Sequence, residues 1–269
     1  MGGGSGLLRG DRLETLLLFR DLEVGRDFDV AAYSDAKALV ISRAFQRALL
    51  YVERKSSTRG ILSQGLRNVQ QQIRKALESL RGGGLVAYPT DTVYGVGADA
   101  TNVRAVRHVF RVKSRPLTMA LPILVSDIHM MHAATEELPP SAIRLALRFW
   151  PGALTMVVKK SPLIPAIVTA SAPTVAIRIP DHPTPRALAK GIGAPLVGTS
   201  ANRSGQPSVT TASAVTAQIG EDVDVVISGR CKGGIESTII DLTQQPPKIL
   251  RQGPVTKEAL EEVIGKVDV

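Results

Sequence analysis

The sequence has few aromatic residues, a single cysteine and no hydrophobic run long enough to cross a membrane. Aromatic residues make up 4% of the chain, so the core must be aliphatic, and an aromatic platform that stacks single-stranded nucleic acid is disfavoured. Cys231 has no second cysteine for an internal disulfide, and a structural zinc site would need more soft ligands than the chain has. A bilayer span needs roughly 18–20 consecutive apolar residues, so the lack of such a run predicts a soluble protein. The single cysteine favours the reducing environment of the cytoplasm.

Several familiar motifs of nucleotide binding, hydrolysis and metal binding are also missing. Residues 191–196 open like a dinucleotide-binding fingerprint, but they lack its third glycine and precede a predicted strand instead of following one. A Walker A motif is excluded, because no Gly-Lys-Ser or Gly-Lys-Thr triplet occurs. In residues 198–202, an asparagine stands where the nucleophile elbow of Ser-His hydrolases requires its second glycine. The histidines lack carboxylates at the offsets of a metal site, so no metal ligands are predicted among His108, His129, His132 and His182.

Composition and charge are those of a globular protein with an excess of positive charge. Hydrophobic residues make up 44% of the chain and charged residues 21%, which supports a sizeable core. The formal net charge is +9, and residues 81–200 carry 13 Lys and Arg against 6 Asp and Glu. Such a basic centre suits an anionic partner, meaning a nucleotide, phosphate or RNA, although a generally basic surface would explain the charge equally well.

Hydrophobic periodicity divides the chain into two parts. Residues 1–65 are predicted to be an N-terminal extension of unknown function, linker-like over residues 1–6 and helical beyond. Residues 66–269 are predicted to form one domain, in which short β-rich runs alternate with helical segments. We therefore expect an α/β (α+β) fold, with a twisted mixed β-sheet, flanking helices and a concave basic groove. The predicted strands cover residues 85–88, 123–125, 154–158, 175–179, 196–198, 223–227, 237–242 and 248–250, and the predicted helices cover residues 66–80, 103–112, 140–149, 185–190, 211–219 and 256–264.

Polar residues gather where two of the predicted strands end. Residues 88–95, Tyr-Pro-Thr-Asp-Thr-Val-Tyr-Gly, hold several hydroxyl groups and a carboxylate beside a glycine. A proline-containing turn would explain part of this composition, but the density of polar groups favours a functional segment. Within it Asp91 is either catalytic or a cap of the turn. Residues 199–205, Thr-Ser-Ala-Asn-Arg-Ser-Gly, follow another strand and offer the same choice between a polar turn and a site.

Three cationic residues, Lys113, Arg115 and Arg178, are further candidates for a functional site. Lys113 and Arg115 stand at the end of a predicted helix, where cations also complement the helix dipole. Pro116 favours an extended Arg115, which would let the two cationic heads converge and clamp a polyphosphate. Arg178 lies within an apolar strand, where its charge is costly unless a carboxylate or a phosphate meets it.

Six short motifs follow one another along residues 89–253. They are Pro-Thr-Asp-Thr-x-Tyr-Gly (89–95), Lys-x-Arg-Pro (113–116), Arg-x-Pro (178–180), Ser-x-Asn-x-Ser-Gly (200–205), Ser-Thr (237–238) and Arg-x-Gly (251–253). Each motif alone is common, but together and in this order they resemble the YrdC-like threonylcarbamoyl-AMP synthase family. The resemblance runs from residue 69 to residue 264. It points to a short form of the family, without the extra C-terminal domain, and it leaves residues 1–65 without a counterpart.

The resemblance implies an enzyme that joins L-threonine, bicarbonate and ATP into threonylcarbamoyl-AMP and releases pyrophosphate. The product would serve threonylcarbamoyladenosine formation next to the anticodon of tRNA, reached through a downstream threonylcarbamoyl transferase complex. ATP is expected as a substrate that arrives with Mg²⁺, and no tightly bound cofactor is expected. By motif position, the resemblance implies a catalytic tetrad of Lys113, Arg115, Ser200 and Asn202, threonine and bicarbonate contacts from Thr90, Arg178, Ser200 and Ser237, and ATP contacts from Lys113, Arg115, Asn202, Thr210 and Arg251.

The implied chemistry suits these residue types. The threonine nitrogen attacks bicarbonate to give a carbamate, and a carbamate oxygen displaces pyrophosphate from the α-phosphate, so each species on the path is anionic. Cations and oriented hydrogen-bond donors can promote such steps through position and electrostatics, without a covalent nucleophile. Alanine at Lys113 or Arg115 is therefore expected to abolish most product formation and to leave the fold intact. The alternative is a non-catalytic RNA- or tRNA-binding module with a basic concave surface, which would explain the net charge equally well.

Overall fold

The computed structural model describes residues 59–269 of the chain, with side chains described from Asn68 onward. Gln64–Val269 forms one compact unit. The linker-like residues 1–6 and the helical pattern that follows them lie outside the described residues. The division into an extension over residues 1–65 and a domain over residues 66–269 therefore remains a prediction.

Helices and short strands alternate along the described residues. The helices are α1 (Arg59–Arg81), α2 (Val103–Lys113), α3 (Ile128–Ala134), α4 (Pro140–Phe149), α5 (Pro183–Ile192), α6 (Ala212–Ile219) and α7 (Lys257–Ile264). The strands are β1 (Val86–Tyr88), β2 (Gly95–Gly97), β3 (Ile123–Leu124), β4 (Leu154–Lys159), β5 (Thr174–Arg178), β6 (Leu196–Val197), β7 (Thr199–Ser200), β8 (Val225–Val226), β9 (Thr238–Asp241) and β10 (Lys248–Arg251). Each helix and strand predicted from residue 66 onward is present with small shifts at its ends, except that α1 begins well before residue 66. The sequence does not predict β2, β7 and α3.

The strands form two mixed sheets. The first has the order β7-β2-β1-β8, in which β1 pairs antiparallel with β2 and parallel with β8. The second has the order β10-β9-β4-β5-β3-β6, in which β4 pairs antiparallel with β5 and parallel with β9. The predicted mixed α/β fold with flanking helices is confirmed, and its strands divide between two sheets instead of forming one.

The core is mostly aliphatic, as the low aromatic content predicts, and it also buries Tyr88, Tyr94, Phe110 and Trp150. Alternate residues of β4, Leu154, Met156 and Val158, are at most 1% exposed, as expected for one face of a strand. Helix α2 buries Val106 and Val109 and turns its arginines towards solvent, so its hydrophobic stripe follows the helical repeat. Within residues 59–269, no helix combines the length and hydrophobicity that crossing a bilayer requires.

One side chain closes the junction between β1 and β8. The Leu85 amide donates to the Asp224 carboxylate at 2.7 Å, and the Asp224 amide donates to the Leu85 carbonyl at 3.0 Å. Leu85 is fully buried, so Asp224→Ala removes the acceptor of a buried amide, and we expect the free energy of unfolding to fall by about 1–2 kcal/mol in urea denaturation. Asp222→Ala breaks only an exposed ion pair with Arg203 and should change stability by about 0.5 kcal/mol or less. Equal losses in the two variants would contradict this role of Asp224.

Candidate active site

A cavity of about 480 Å³ is lined by residues of both sheets. This volume lies within the range of about 300–1,000 Å³ that is common for small-molecule sites. Lys113, Asn202 and Thr210 are not among its lining residues. Six predicted site residues line the cavity, namely Thr90, Arg115, Arg178, Ser200, Ser237 and Arg251.

Strand pairing explains why residues far apart in sequence meet at this cavity. β2 pairs with β7 so that Gly95 lies opposite Ser200, which places the polar turn after β7 beside the polar segment of residues 88–95. In the second sheet β10, β9, β4 and β5 are consecutive neighbours. These strands bring Arg251, Thr155 and Arg178 to the same wall, and Ser237 directly precedes β9.

Lys113 ends α2, and its ammonium group lies behind the wall that Ser200 lines. The side chain is 2% exposed, and Nζ donates to the carbonyl oxygens of Ser200 and Asn202, both at 2.5 Å. The amide group of Asn202 donates in turn to the carbonyls of Arg203 and Gln206. Lys113 and Asn202 therefore shape the turn that follows β7, and they reach the cavity through Ser200.

The cationic heads of Lys113 and Arg115 lie within electrostatic range of each other. Burial, and then the charge of Arg115, lower the pKa of Lys113 from 10.5 to about 8, against an opposing effect of Glu236. Burial also lowers the pKa of Arg115. Arg115 donates from Nε and Nη2 to the carbonyls of Met119 and Ala120 at 3.1 and 2.8 Å, which holds its guanidinium at the cavity.

The lowered pKa of Lys113 predicts opposite pH trends for stability and activity. Between pH 8 and 10.5 the unfolded chain retains a proton that the folded protein has lost, so stability rises with pH over this window. We expect the free energy of unfolding of the unsubstituted protein, measured relative to Lys113→Met, to increase by about 2–3 kcal/mol between these two pH values. Product formation should fall over the same window because the ammonium loses its charge. A stability difference that does not change with pH would contradict the assignment.

The charge of Arg178 is met by a carboxylate, one of the two partners that its position in an apolar strand allows. Its Nη2 lies 2.5 Å from Oδ1 of Asp91, Nη1 donates to Oγ1 of Thr92 at 3.1 Å, and Nε donates to the Gly152 carbonyl at 2.8 Å. Burial lowers the pKa of Arg178, and the charge of Asp91 opposes that change. Asp91 is therefore the counter-ion of Arg178.

The hydroxyl group of Thr90 closes the turn that precedes β2. Its Oγ1 donates to the Val93 carbonyl at 2.6 Å and accepts from the Thr92 amide at 3.0 Å. Thr90 is 5% exposed and lines the cavity. The segment is thus a proline-containing turn and a wall of the cavity at once, so the two interpretations of its sequence are compatible.

A second polar cluster lies around Arg251, on the wall formed by β4, β9 and β10. Oγ of Ser237 is 2.8 Å from Oγ1 of Thr155 and accepts from Nη2 of Arg251 at 3.2 Å. Arg251 donates from Nε to the Ser237 carbonyl at 3.0 Å, and its Nη1 pairs with the carboxylate of Glu236. The other oxygen of Glu236 accepts from the Ser208 hydroxyl at 2.7 Å.

The charges that line the cavity are nearer to balance than the net charge of the chain suggests. Its lining includes three arginines and the carboxylates of Glu236 and Asp241. Asp241 already accepts hydrogen bonds from Thr243 and Gln244. In the described part of the chain, no three His, Cys, Asp or Glu side chains gather closely enough to hold a metal ion. The basic groove expected from the sequence therefore remains a prediction.

Thr155 is a polar residue of this region that the sequence does not indicate, because it lies in an apolar strand and gives no local signal. Glu236 stands next to the Ser-Thr motif, and its contact with Arg251 follows from the antiparallel pairing of β9 with β10. Asp91 was left between two roles, because the sequence cannot show that Arg178 approaches it. Thr210 lies outside the cavity lining, and its carbonyl accepts from the Cys231 amide at 3.1 Å.

Comparison with known sequences gives consistent matches. The model of the Sua5/YciO/YrdC domain, described as "Telomere recombination", matches residues 78–253. The chain is 40% identical over 199 residues to the threonylcarbamoyl-AMP synthase of Pyrococcus abyssi and 41% identical over 200 residues to that of Bacillus subtilis. Each match covers 74% of this chain and 58% of the relative. A putative threonylcarbamoyl-AMP synthase of Mycobacterium tuberculosis is 38% identical over 194 residues, covering 72% of this chain and 89% of that protein.

Solved structures show the same fold. Pyrococcus abyssi Sua5 complexed with L-threonine superposes with a TM-score of 0.71 at 40% identity, over 73% of this chain and 58% of that one. Escherichia coli YciO superposes with a TM-score of 0.65 at 25% identity, over 71% of this chain and 93% of that one. The chain thus spans 58% of the length of the Pyrococcus and Bacillus relatives that it matches.

Proposed function

Because this chain belongs to the Sua5/YciO/YrdC family, whose domain model matches most of it, we propose that it is a threonylcarbamoyl-AMP synthase. In the proposed reaction, L-threonine, bicarbonate and ATP give threonylcarbamoyl-AMP, pyrophosphate and water. The product then supplies threonylcarbamoyladenosine formation next to the anticodon of tRNA, through a downstream threonylcarbamoyl transferase complex in the cytoplasm. The names of the relatives and the L-threonine complex of the Pyrococcus protein support this proposal.

The observation that carries the proposal is the meeting of three arginines and several hydroxyl groups in one cavity. We assign L-threonine and bicarbonate to the part of the cavity near Arg178, and the triphosphate of ATP to the part near Arg115 and Arg251. On this assignment Thr90, Ser200 and Ser237 orient threonine, Lys113 and Asn202 act by holding the Ser200 turn, and Thr210 contacts the nucleotide from outside the described lining.

These residues can promote the reaction without a covalent intermediate on the protein. Arg178 would bind the carboxylate of threonine. Its guanidinium group is held in one orientation by Asp91 and by the Gly152 carbonyl. Arg115 and Arg251 would offset the charge that pyrophosphate gains as it leaves. Hydroxyl groups from three different strands or turns would align the carbamate oxygen with the α-phosphate, which lowers the entropy cost of bringing anions together.

Magnesium fits this site as a companion of ATP. The described residues offer single carboxylates instead of a cluster, and Mg²⁺ is commonly bound by substrate phosphates, water and one or two carboxylates. When bound, the ion would supply further neutralisation of the phosphate charge.

One assay tests the proposal directly. Purified protein is mixed with ATP, Mg²⁺ and radiolabelled L-threonine, with and without bicarbonate, and pyrophosphate and the labelled adenylate are measured. We expect both products to appear together and to depend on bicarbonate. The alternative, a non-catalytic RNA-binding module, predicts RNA binding that weakens steeply with salt and no turnover of ATP.

A further inference from the structure

The carboxylate of Glu236 lies beside Arg251, one of the two cations assigned to the triphosphate of ATP. It pairs with Nη1 of Arg251 and accepts from the hydroxyl of Ser208 at 2.7 Å. Both Glu236 and Arg251 line the cavity. Its negative charge also raises the pKa of Lys113 and of Arg115, against the effect of burial on each. One carboxylate therefore pairs directly with Arg251 and acts electrostatically on Arg115, the two cations assigned to the triphosphate.

We propose that Glu236 is an internal counter-ion that competes with the triphosphate of ATP for Arg251. ATP would displace the carboxylate from Arg251 on binding, and the carboxylate would return to Arg251 when pyrophosphate leaves. Glu236 thereby sets the affinity for ATP and favours release of pyrophosphate. This inference rests on the proposed function and concerns its nucleotide side.

The pair of Glu236 with Arg251 is less buried than the pair of Asp91 with Arg178. The side chains of Arg178 and Asp91 are 7% and 15% exposed, whereas those of Arg251 and Glu236 are 39% and 32% exposed. Breaking a buried pair leaves a charge without compensation, and this is strongly unfavourable. A partly exposed pair contributes little, because water and salt replace each partner. Asp91 is thus a permanent partner of Arg178, whereas Glu236 can be exchanged for a phosphate.

The hydrogen bond from Ser208 connects the exchange to a loop of the site. Ser208 lies in the segment between Asn202, which holds the Ser200 turn, and Thr210, which is assigned to the nucleotide. Its hydroxyl gives Glu236 a second partner, so the carboxylate keeps a defined position when it leaves Arg251. Arg251 itself stays in place, because Nε and Nη2 remain bonded to the carbonyl and hydroxyl oxygens of Ser237.

Glu236→Gln tests the proposal, because it keeps the size of the side chain and removes its charge. Binding of MgATP and of magnesium pyrophosphate to the full chain is measured by isothermal titration calorimetry. We expect both dissociation constants to fall about tenfold, which corresponds to about 1.4 kcal/mol, since the phosphates no longer compete with an anion. A purely structural role of Glu236 predicts the reverse, because loss of the ion pair would loosen Arg251 and weaken binding. Asp222→Asn makes the same change in the exposed pair with Arg203 and should leave both constants unchanged.

A second variant separates the possible failures. If Glu236 acts through Arg251, the gain in affinity should disappear when Glu236→Gln is combined with Arg251→Gln, in a double-mutant cycle. Unchanged or weaker binding by Glu236→Gln, in a protein that otherwise binds MgATP, would overturn this inference and leave the proposed function standing. Failure of the unsubstituted protein to bind either MgATP or pyrophosphate would overturn both.

Discussion

Replacing Lys113 by methionine is expected to lower kcat/KM for threonylcarbamoyl-AMP formation by about 10²–10³-fold. The ammonium group holds the turn that presents Ser200 to the cavity, and its charge acts on the neighbouring Arg115. Methionine has a similar length but offers no donor, so the carbonyls of Ser200 and Asn202 lose a charged partner. We therefore also expect the free energy of unfolding to fall by about 2 kcal/mol.

This prediction adds a loss of stability to the expectation drawn from the sequence, that alanine at Lys113 leaves the fold intact. Arg115→Met is the matched control, since its guanidinium bonds to carbonyls of the exposed residues Met119 and Ala120. It should lose activity to a similar extent with a smaller loss of stability. Pyrophosphate release and urea denaturation measure the two effects. Near-normal turnover in Lys113→Met would refute the role given to this residue.

Arg178→Met is expected to be the most damaging substitution in the cavity. It leaves the carboxylate of Asp91, which is only 15% exposed, without its counter-ion, and loss of one partner of a buried pair lowers stability by about 3–5 kcal/mol. It also removes the cation assigned to the threonine carboxylate. We expect threonine-dependent pyrophosphate release to fall by about 10²–10³-fold or more.

A double variant separates these two effects. Asp91→Asn combined with Arg178→Met removes both charges, so much of the lost stability should return, because a neutral pair in a buried position is often tolerated. Activity should not return, because the cation that binds threonine is still missing. If stability and activity recovered together, Arg178 would act on the fold alone, and its place in the threonine site would be wrong.

Elements with a strong hydrophobic signal could be predicted, and short polar ones could not. The run of β4 is apolar over several residues, and α4 begins at a proline that suits the first turn of a helix. β7, in contrast, consists of Thr199 and Ser200, whose types are equally common in turns, and β2 contains two glycines. Only pairing with neighbouring strands makes these segments strands. Helix α3 could have been recognised from Asp127, whose side chain caps it by accepting from the Met130 amide.

The candidate site shows the same division between local and non-local information. Motif order identifies six residues that line the cavity, and the cost of a charge in an apolar strand correctly indicates that Arg178 needs an anion. The anion that Arg178 contacts is Asp91. This contact depends on the position of the Asp91 loop relative to β5, which cannot be predicted from the residues near either one. The contact of Lys113 with Ser200 depends in the same way on elements that are distant in sequence, whereas the pair of Glu236 with Arg251 follows from the pairing of the consecutive strands β9 and β10.

Two polar contacts of the site join residues that are far apart in the sequence, and this affects how the polypeptide acquires its activity during folding. The bond from Lys113 to Ser200 and the pair of Arg178 with Asp91 each join residues 87 positions apart. Contacts of this kind raise contact order, because the intervening polypeptide must lose its freedom before they form. A folding intermediate that already has its local helices would therefore lack a competent pocket, so catalysis should appear only at the final, cooperative step of folding.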